Sequence, residues 1–439
     1  MTSRGWVLIV ANLIYPGLAQ LLAGNRKVAR LGLIASTIVA LTLITAAILF
    51  FTARDTLFTI AASIATNSFA LLAIQVILIA YIALWIFLTI DTLRLARIIK
   101  TGPKARFAIA LTAIAALAFT ASGAGSATQL AGAQRNLIDT VFGGSVIAEP
   151  IDGRYNILLL GGDAGEDRWG LRPDSISVVS VDAETGQASM IGVPRNLENT
   201  PFSEGSPLWQ EFPTGYDCGH DCLISFLYTH GNNNPELYPD AAAISSDAGI
   251  EAMRDAVEGA TGLTLQYYVL IDMAGFAHLI DALGGVSIDV QERVPIATAM
   301  DRNGNFLDLM GWIEPGVQTM SGDTALWYAR SRISTTDYDR MQRQRQVQQA
   351  ILQQFEPVTV ISRFQQIADA SATTVKTDIP ASMLTFFAEL ALKSQQQEVR
   401  DLELVPPLVL TGDPNFAEIH ALIAEFLAPP PEETPAPEQ

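Results

Sequence analysis

Four stretches of this chain contain no charged residue over about 20 positions, the length at which an α-helix crosses the hydrocarbon core of a bilayer. They cover residues 5–25, 31–52, 68–90 and 107 to about 128. The last three stretches predict membrane-spanning helices. Pro16 and Gly17 interrupt the first stretch, which is either a further span or a re-entrant or interfacial segment, so the anchor is expected to have three or four spans.

The basic residues predict how these helices are oriented. Residues 1–124 carry ten Lys or Arg and two Asp, a net charge of +8, whereas the remaining 17 basic and 43 acidic residues give −26. Because Lys and Arg collect on the cytoplasmic side, the basic loop 94–106 is expected inside and the loop 51–67 outside. The Gly/Ala/Ser-rich segment 122–133 then leads outward. The acidic remainder is predicted to be extracytoplasmic and to repel nucleic acid.

Residues 150–360 alternate apolar runs with helical patterns, which is typical of an α/β domain. Strands are predicted at 155–160, 175–181, 188–193, 266–271 and 286–290, and helices at 248–258, 273–283 and 339–355. We therefore divide the chain into a membrane anchor (1–130), an α/β domain (150–360), a C-terminal extension that packs on it (361–428) and a disordered Pro/Glu tail (429–439).

The two cysteines of the chain, Cys218 and Cys222, lie four positions apart. On the oxidising side of a membrane this pattern favours a local disulfide. A zinc site with His220 and with Asp217 or Asp221 is the alternative, although structural zinc wants four well-spaced ligands. The histidines are otherwise scattered, and no His-Glu-x-x-His, Gly-x-Ser-x-Gly or Walker motif occurs, so neither zinc-dependent nor Ser/His hydrolysis is supported.

Arginine is concentrated in one part of the acidic half. Fifteen of its 17 basic residues are Arg, and five lie within sixteen positions: Arg330, Arg332, Arg340, Arg343 and Arg345. Arginine suits phosphate because its planar fork makes bidentate hydrogen bonds. The helical spacing places Arg340, Arg343 and Gln344 on one face, and Arg330 and Arg332 are expected on one side of a strand. A solvated charged face is the alternative, but such a face usually interleaves Glu with Arg.

Carboxylates lie at the ends of two of the predicted strands. Asp163 ends the first strand, Arg172 and Asp174 open the second, and Arg195 ends the third. Two carboxylates at one sheet edge form a natural site for Mg²⁺, which typically binds one or two carboxylates together with substrate phosphates. Mg²⁺ and several arginines around a diphosphate indicate phosphoryl transfer, in which charge stabilisation and positioning dominate.

Six segments together resemble the LytR-CpsA-Psr family. They occur in the order and spacing of that family and cover about residues 150–360: NILLLGGD (156–163), RPDS (172–175), VPR (193–195), DALGGV (281–286), ALWYARSR (325–332) and DYDRMQRQ (337–344). The resemblance implies an extracytoplasmic three-layer α/β/α domain with a central mixed sheet and an apolar tunnel for a polyisoprenyl chain. It also implies Mg²⁺-dependent (or Mn²⁺-dependent) transfer of a polyprenyl-pyrophosphate-linked glycopolymer to peptidoglycan, forming a phosphodiester, at a bacterial cytoplasmic membrane.

The resemblance also assigns roles by position. Asp163 and Asp174 are implied as metal ligands and, with Arg195, as catalytic residues. The implied pyrophosphate-binding set contains Arg172, Arg195, Arg330, Arg332, Arg340, Arg343 and Gln344, with Asp337 orienting the arginines.

Three departures from the family pattern leave alternatives open. Asn196 stands where Asp is frequent, and Leu223 and Ser225 stand where a Lys and an Asn are usual. Several spans also replace the usual single anchor. A polyprenyl (pyro)phosphate pyrophosphatase and a non-enzymatic lipid-phosphate-binding regulator of the cell envelope are the alternative functions. The sequence does not identify the glycopolymer or the acceptor position.

Overall fold

A computed structural model describes residues 2–97, 102–142, 146–163, 172–301, 305–333, 335–354 and 375–428, and for Asp163 it describes the backbone alone. The predicted tail at 429–439 lies outside these residues. The chain forms two compact units, Met1–Asp139 and Thr140–Gln439.

In its described residues the N-terminal unit consists of helices joined by short turns. Its helices are α1 (Thr2–Ile14), α2 (Leu18–Leu22), α3 (Arg26–Thr52), α4 (Arg54–Ala65), α5 (Ser68–Leu95) and α6 (Pro103–Val141). Three segments are long and apolar enough to cross a membrane: Arg26–Thr52, Ser68–Leu95 and Lys104–Asn136. These segments contain the last three uncharged stretches, so the prediction of long apolar helices there is confirmed.

The first uncharged stretch folds as two helices, because Pro16 cannot continue a helix and Gly17 adopts a φ of 101°. Gly17 also lies against α3, since a Cβ at this position would come within 2.6 Å of the Leu33 backbone nitrogen. The Gln20 amide donates to Thr92 Oγ1 and to the Leu88 carbonyl, both at 2.9 Å. The broken segment therefore packs against α3 and α5.

Two connections predicted to be irregular are helical. The loop 51–67 contains α4, and α6 continues through the Gly/Ala/Ser-rich segment 122–133 to Val141. Alanine has the highest helix propensity of the residues there. The extension is also tied to the corner between α4 and α5, because Gln134 donates to the Ala65 carbonyl at 2.7 Å and Arg135 to Ser68 Oγ at 3.2 Å.

The C-terminal unit alternates strands and helices. In chain order its elements are β1 (Arg154–Asp163), β2 (Arg172–Asp182), β3 (Ala188–Val193), α7 (Leu227–Asn233), α8 (Ala248–Thr261), β4 (Tyr267–Asp272), α9 (Met273–Leu283), β5 (Val286–Val290), β6 (Val294–Ile296), β7 (Ala299–Met300), β8 (Phe306–Leu307), β9 (Gly311–Ile313), β10 (Gly316–Met320), α10 (Gly322–Arg330), α11 (Asp337–Gln353), β11 (Val375–Thr377), α12 (Leu384–Ser394), β12 (Arg400–Glu403) and α13 (Phe416–Leu427).

Six strands form a mixed sheet in the order β11-β4-β1-β2-β3-β12. The pairs β1–β4 and β3–β12 are parallel, and the other three pairs are antiparallel. Helices α7, α8 and α13 cover one face, and α9, α10, α11 and α12 cover the other. The predicted three-layer α/β/α architecture with a central mixed sheet is confirmed. The edge strands β11 and β12 follow residue 361, so the C-terminal segment completes the sheet rather than only packing on it.

Alternation along the strands divides the apolar side chains between two faces. Leu158, Leu160 and Val178 are fully buried in the core beneath α8 and α13. Ile157, Leu159 and Val179 point to the opposite face, where they line a cavity beneath α9, α10 and α11. The cavity therefore lies on the second face of the sheet.

Helices α9 and α10 approach so closely that only glycine fits at the contact. A Cβ on Gly322 would lie 1.9 Å from the Ala277 carbonyl oxygen, and the Gly322 N–H donates to Asp281 Oδ1 at 2.7 Å. We expect Gly322→Ala to destabilise the domain by about 1–3 kcal/mol through overpacking. Thermal denaturation of the full chain in detergent measures this. Gly311→Ala is the control, because a Cβ there meets nothing within 4 Å, and equal melting temperatures for the two variants would contradict the prediction.

Candidate functional site

A β-bulge redirects the side chain of Asp174. Gly161 pairs with Ser175, and the next residue of β1, Gly162, pairs with Pro173, so Asp174 is the extra residue of β2. In a regular strand Asp174 would share the face of Ile176, which is buried in the core against α8. Because a bulge re-aims the side chain at its position, the carboxylate instead meets arginines from three other segments.

Arg195 reaches this carboxylate from the end of β3. Its Nη1 lies 2.6 Å from Asp174 Oδ1, and its Nε lies 3.6 Å from Asp337 Oδ2. The structure thus brings together the two strand-end residues that the sequence placed at one edge of the sheet.

Helix α11 supplies Asp337, Arg340 and Gln344. A capping box between Thr336 and Asp339 fixes where the helix begins, which places these three residues in its first turns. Arg340 is only 2% exposed, and its Nη2 lies 3.1 Å from Asp337 Oδ2. The same nitrogen donates to the Asp174 carbonyl at 3.2 Å.

Arg332 completes the network, but not from a strand. Its Nη2 lies 3.1 Å from Asp174 Oδ2 and its Nε 3.4 Å from Asp337 Oδ1. Arg330 is the last residue of α10, which begins at the N-cap Ser321. The prediction that Arg330 and Arg332 share one side of a strand is wrong, because good helix formers follow a strong N-cap there. Both arginines nevertheless line the cavity.

The charges of this network favour an added anion. Burial alone would raise the pKa of Asp174, but Arg195, with Arg340 and Arg332, outweighs it and holds the pKa below its ordinary value. Burial lowers the pKa of Arg340 to about 10, with Asp337 opposing and Arg332 and Arg195 assisting, so Arg340 stays protonated at neutral pH. Three arginines thus face two carboxylates, and within the described residues Nε of both Arg195 and Arg340 is buried without a hydrogen-bond acceptor.

The network forms one end of a cavity of about 820 Å³ between the sheet and α9, α10 and α11. We call this end the arginine-lined mouth; it consists of Asp174, Arg330, Arg332, Arg340 and Gln344. Most of the other lining side chains are apolar, among them Ile157, Leu159, Val179, Met190, Val269, Ile271, Phe276, Leu279, Trp327, Val347 and Ile351. Asp272, Thr298 and Gln348 are polar residues that also line it. The cavity extends from Ser175 to Val179, about 13 Å along β2, and suits a ligand with an anionic head and an apolar chain.

Arg343 lies apart from this group. Its Nε donates to the Tyr328 carbonyl at 2.9 Å, and its Nη2 donates to the Ser331 carbonyl and to Thr335 Oγ1. The expectation that Arg343 binds pyrophosphate does not match this placement. Around α11, Arg343 lies about 60° from Arg340 and about 100° from Gln344. It instead ties the start of α11 to the end of α10.

Arg172 and Asp163 face each other in the β1–β2 ladder. The exposed Arg172 guanidinium lies over the Phe226 ring, with Cζ 4.6 Å from its centroid. The Asp163 side chain lies outside the described part of the chain. Its predicted role therefore stays a prediction, as do the roles assigned to the other site residues.

The described residues offer limited support for a metal. Among them, no group of three or more His, Cys, Asp or Glu is arranged to hold an ion. Both carboxylate oxygens of Asp174 face arginines, so a cation at this position would share the carboxylate with them. Asp174 is ionised and lies at the mouth, which fits the use of one or two protein carboxylates with substrate phosphates.

Cys218 and Cys222 form the predicted disulfide, which leaves no thiolate for the alternative zinc site. His220 instead lies 3.0 Å from Glu198 Oε2. After the disulfide, the Ser225 N–H donates to the Arg195 carbonyl at 3.3 Å, so the segment that lacks the family's Lys and Asn does adjoin the site.

The sequence motifs do not indicate two residues that adjoin the site, Phe226 and Thr411. Phe226 contacts Arg172, and Thr411 accepts from the Asn196 amide at 3.3 Å. Thr411 also accepts from the Glu198 N–H through its carbonyl. No local pattern predicts the Thr411 contact, because it joins residues 215 positions apart.

A model of the LytR_cpsA_psr family matches residues 119–408. The polyisoprenyl-teichoic acid–peptidoglycan teichoic acid transferase TagU of Halalkalibacterium halodurans is 28% identical over 227 residues, 51% of this chain and 61% of that protein. The cell wall biosynthesis protein LcpA of Corynebacterium glutamicum is 27% identical over 322 residues, 65% of this chain and 58% of that protein. This chain thus spans about three-fifths of each relative. The solved structure of Bacillus subtilis TagV gives a TM-score of 0.44 at 20% identity, covering 64% of this chain and 98% of that one.

The lowered pKa of Asp174 predicts a pH dependence of stability. A carboxyl whose folded pKa is depressed stabilises the fold above its ordinary pKa of 3.8 and loses that contribution as pH falls through the folded value. Asp174→Asn is therefore expected to cost about 2 kcal/mol near neutral pH, and the difference from wild type should shrink below pH of about 4. Melting temperatures at both pH values measure this.

Glu314→Gln is the control for that experiment, because it removes an exposed ion pair with Arg293, which contributes little. An Asp174→Asn deficit that is as large in acid as at neutral pH would contradict the prediction.

Proposed function

The chain belongs to the LytR-CpsA-Psr family, and we propose that it transfers a polyprenyl-diphosphate-linked glycopolymer to peptidoglycan, forming a phosphodiester link. The observation that carries this proposal is the arginine-lined mouth at one end of an apolar cavity. The name of the TagU relative, a polyisoprenyl-teichoic acid–peptidoglycan teichoic acid transferase, supports both the class of donor and the class of acceptor.

The two parts of the cavity match the two parts of such a donor. Arg195, Arg332 and Arg340 would bind the diphosphate, whose negative charge would complement three guanidinium groups that face only two carboxylates. The polyprenyl chain would occupy the apolar part between the sheet and α9, α10 and α11. Its burial would hold the diphosphate at the mouth, so binding energy from the chain would position the reacting phosphorus.

The reaction needs charge stabilisation more than covalent chemistry. A peptidoglycan hydroxyl oxygen attacks the phosphorus attached to the glycan, and the bond from that phosphorus to the bridging oxygen breaks. The glycan phosphate becomes a phosphodiester, and polyprenyl phosphate leaves with the bridging oxygen and its electron pair. The hydroxyl proton passes to an ionised carboxylate at the mouth, for which Asp174 is the described candidate. The arginines stabilise the charge that develops on the leaving phosphate.

We further propose that Asp174 and Asp163 hold Mg²⁺ or Mn²⁺ together with diphosphate oxygens. The ionised Asp174 carboxylate and the place of Asp163 on the adjacent strand support this. When bound, the ion would supply additional charge neutralisation at the diphosphate.

The three apolar helices and the basic loop 94–106 support a multi-pass anchor in the cytoplasmic membrane, with the α/β domain on the outer side. Such a placement gives the domain access to both lipid-linked donor and peptidoglycan.

Replacing Arg332 tests the proposed diphosphate site. Arg332 is 42% exposed, so Arg332→Ala is expected to fold and to lower kcat/KM for transfer by roughly 100-fold, as loss of one charge-stabilising donor does. Transfer of labelled glycopolymer from polyprenyl diphosphate to peptidoglycan measures this, with Arg293→Ala as the control for a surface arginine. Phosphate release in the absence of acceptor would identify a pyrophosphatase instead. Polyprenyl diphosphate binding that never leads to transfer or release would indicate a regulator.

Narrowing the cavity tests the polyprenyl chain. Val179→Trp fills the apolar part away from the arginines, so we expect at least tenfold weaker binding of geranylgeranyl diphosphate, about 1.4 kcal/mol, with inorganic diphosphate unaffected. Calorimetric titration measures both affinities. Val317→Trp is the control, because Val317 is 76% exposed. Equal losses for both ligands would contradict the assignment of the cavity to the chain.

Chelation tests the proposed metal. Removing divalent ions with EDTA should abolish transfer, and adding Mg²⁺ or Mn²⁺ should restore it, because the diphosphate charge would otherwise be only partly neutralised. Asp174→Asn should raise the Mg²⁺ concentration needed for half-maximal activity. Unchanged activity in EDTA would contradict the proposal.

A further inference from the structure

The ring of Phe226 lies against the guanidinium of Arg172, which precedes Asp174 by two residues on β2, with Cζ 4.6 Å from the ring centroid. We propose that Phe226 is a positioning residue, which holds Arg172 ready to bind the diphosphate. This inference rests on the proposed function and adds to it a specific role for a residue outside the family motifs.

The chemistry of the contact suits a phosphate ligand. A guanidinium stacks on an aromatic face through its own face, which leaves its five N–H donors at the edge. A carboxylate partner would instead occupy those donors and cancel the charge. Arg172 is an exposed residue of β2, and an unrestrained arginine loses about 2 kcal/mol of rotamer entropy when it is fixed. The ring restricts the side chain in advance, and stacking on the guanidinium face does not itself occupy the N–H donors.

The segment that carries the ring is itself fixed to the site. The Phe226 N–H donates to the Leu223 carbonyl at 2.8 Å, and the Ser225 N–H donates to the Arg195 carbonyl. Cys222, at the start of this turn, is buried and joined to Cys218. The backbone segment that carries Phe226 is therefore hydrogen-bonded to the segment that carries Arg195. Because Arg195 contacts Asp174, the Phe226 ring holds Arg172 in a fixed position relative to the arginine network.

This segment also lacks the Lys and Asn that the family pattern has near Leu223 and Ser225. In their place it presents an aromatic face to an arginine from the neighbouring strand. In this inference Arg172 adds to the positive charge that Arg195, Arg332 and Arg340 bring to the diphosphate, and Phe226 determines where the added charge lies.

The test is a double-mutant cycle between Phe226 and Arg172 in the full chain, with inorganic diphosphate and geranylgeranyl diphosphate as separate probes. An exposed cation–π contact contributes about 0.5–1 kcal/mol, so Phe226→Leu should weaken diphosphate binding roughly 2- to 5-fold. Phe226→Tyr should retain wild-type affinity because it keeps the ring. In an Arg172→Ala background, Phe226→Leu should have no further effect. In the transfer assay Phe226→Leu should raise KM by a similar factor and leave kcat nearly unchanged.

Phe426→Leu is the matched control. Phe426 is half-buried in the same core as Phe226, and Arg400 lies over its ring at the same 4.6 Å. Diphosphate affinity should not change in this variant. The inference is overturned if the Phe226→Leu and Arg172→Ala losses multiply, if Phe226→Tyr is as weak as Phe226→Leu, or if inorganic diphosphate does not bind the wild type. If the protein binds inorganic diphosphate but not geranylgeranyl diphosphate, this inference stands, and the proposal that the donor carries a polyprenyl chain is overturned.

Discussion

The α/β unit is organised around an ion-pair network in which Asp174 and Asp337 each contact Arg195, Arg332 and Arg340. Three arginines at this spacing repel one another, and Arg340 is almost completely buried, so the network holds only if carboxylates separate the guanidinium groups. The two carboxylates come from β2 and from the start of α11. The network therefore fixes the position of α11 over the sheet and, with it, the width of the cavity beneath that helix.

Charged and apolar side chains line different parts of one cavity, and both parts are needed to bind a ligand tightly at a fixed depth. Because water reaches the mouth, an anionic head group alone would bind there weakly. An apolar chain alone would have no polar contact to fix how far it enters the cavity. The bulge at Asp174 lies where the two environments meet, because it moves one carboxylate from the buried core face to the cavity side. This position explains why the proposed chemistry lies at the start of β2 and not deeper in the sheet.

Much of the fold could be predicted because its signals are local. β3, α9 and β5 have the predicted bounds, since each is a short apolar or amphipathic run that ends at a turn residue such as Gly284. The convergence of Asp174 and Arg195 followed from strand ends that share an edge. The predictions that differ from the structure depend on non-local geometry. A spacing of two positions does not distinguish a strand from the end of α10, where Arg330 and Arg332 lie. Helical spacing alone also does not show that the Arg343 side chain points away from the other arginines. Neither the bulge at Asp174 nor the pairing of β12 with β3 can be predicted from the local sequence.

The parallel pairing of β3 with β12 bears on how the protein is made. Ser189 and Arg400 are partners across this pair, so more than two hundred residues must emerge before the sheet gains its last strand. Contacts of such sequence separation form slowly, and an unpaired strand edge invites association with other chains. Because β12 comes after every arginine of the site, a nascent chain that already carries the site would still present β3 as an open edge. Until β12 is synthesised, association through the open edge of β3 competes with correct folding.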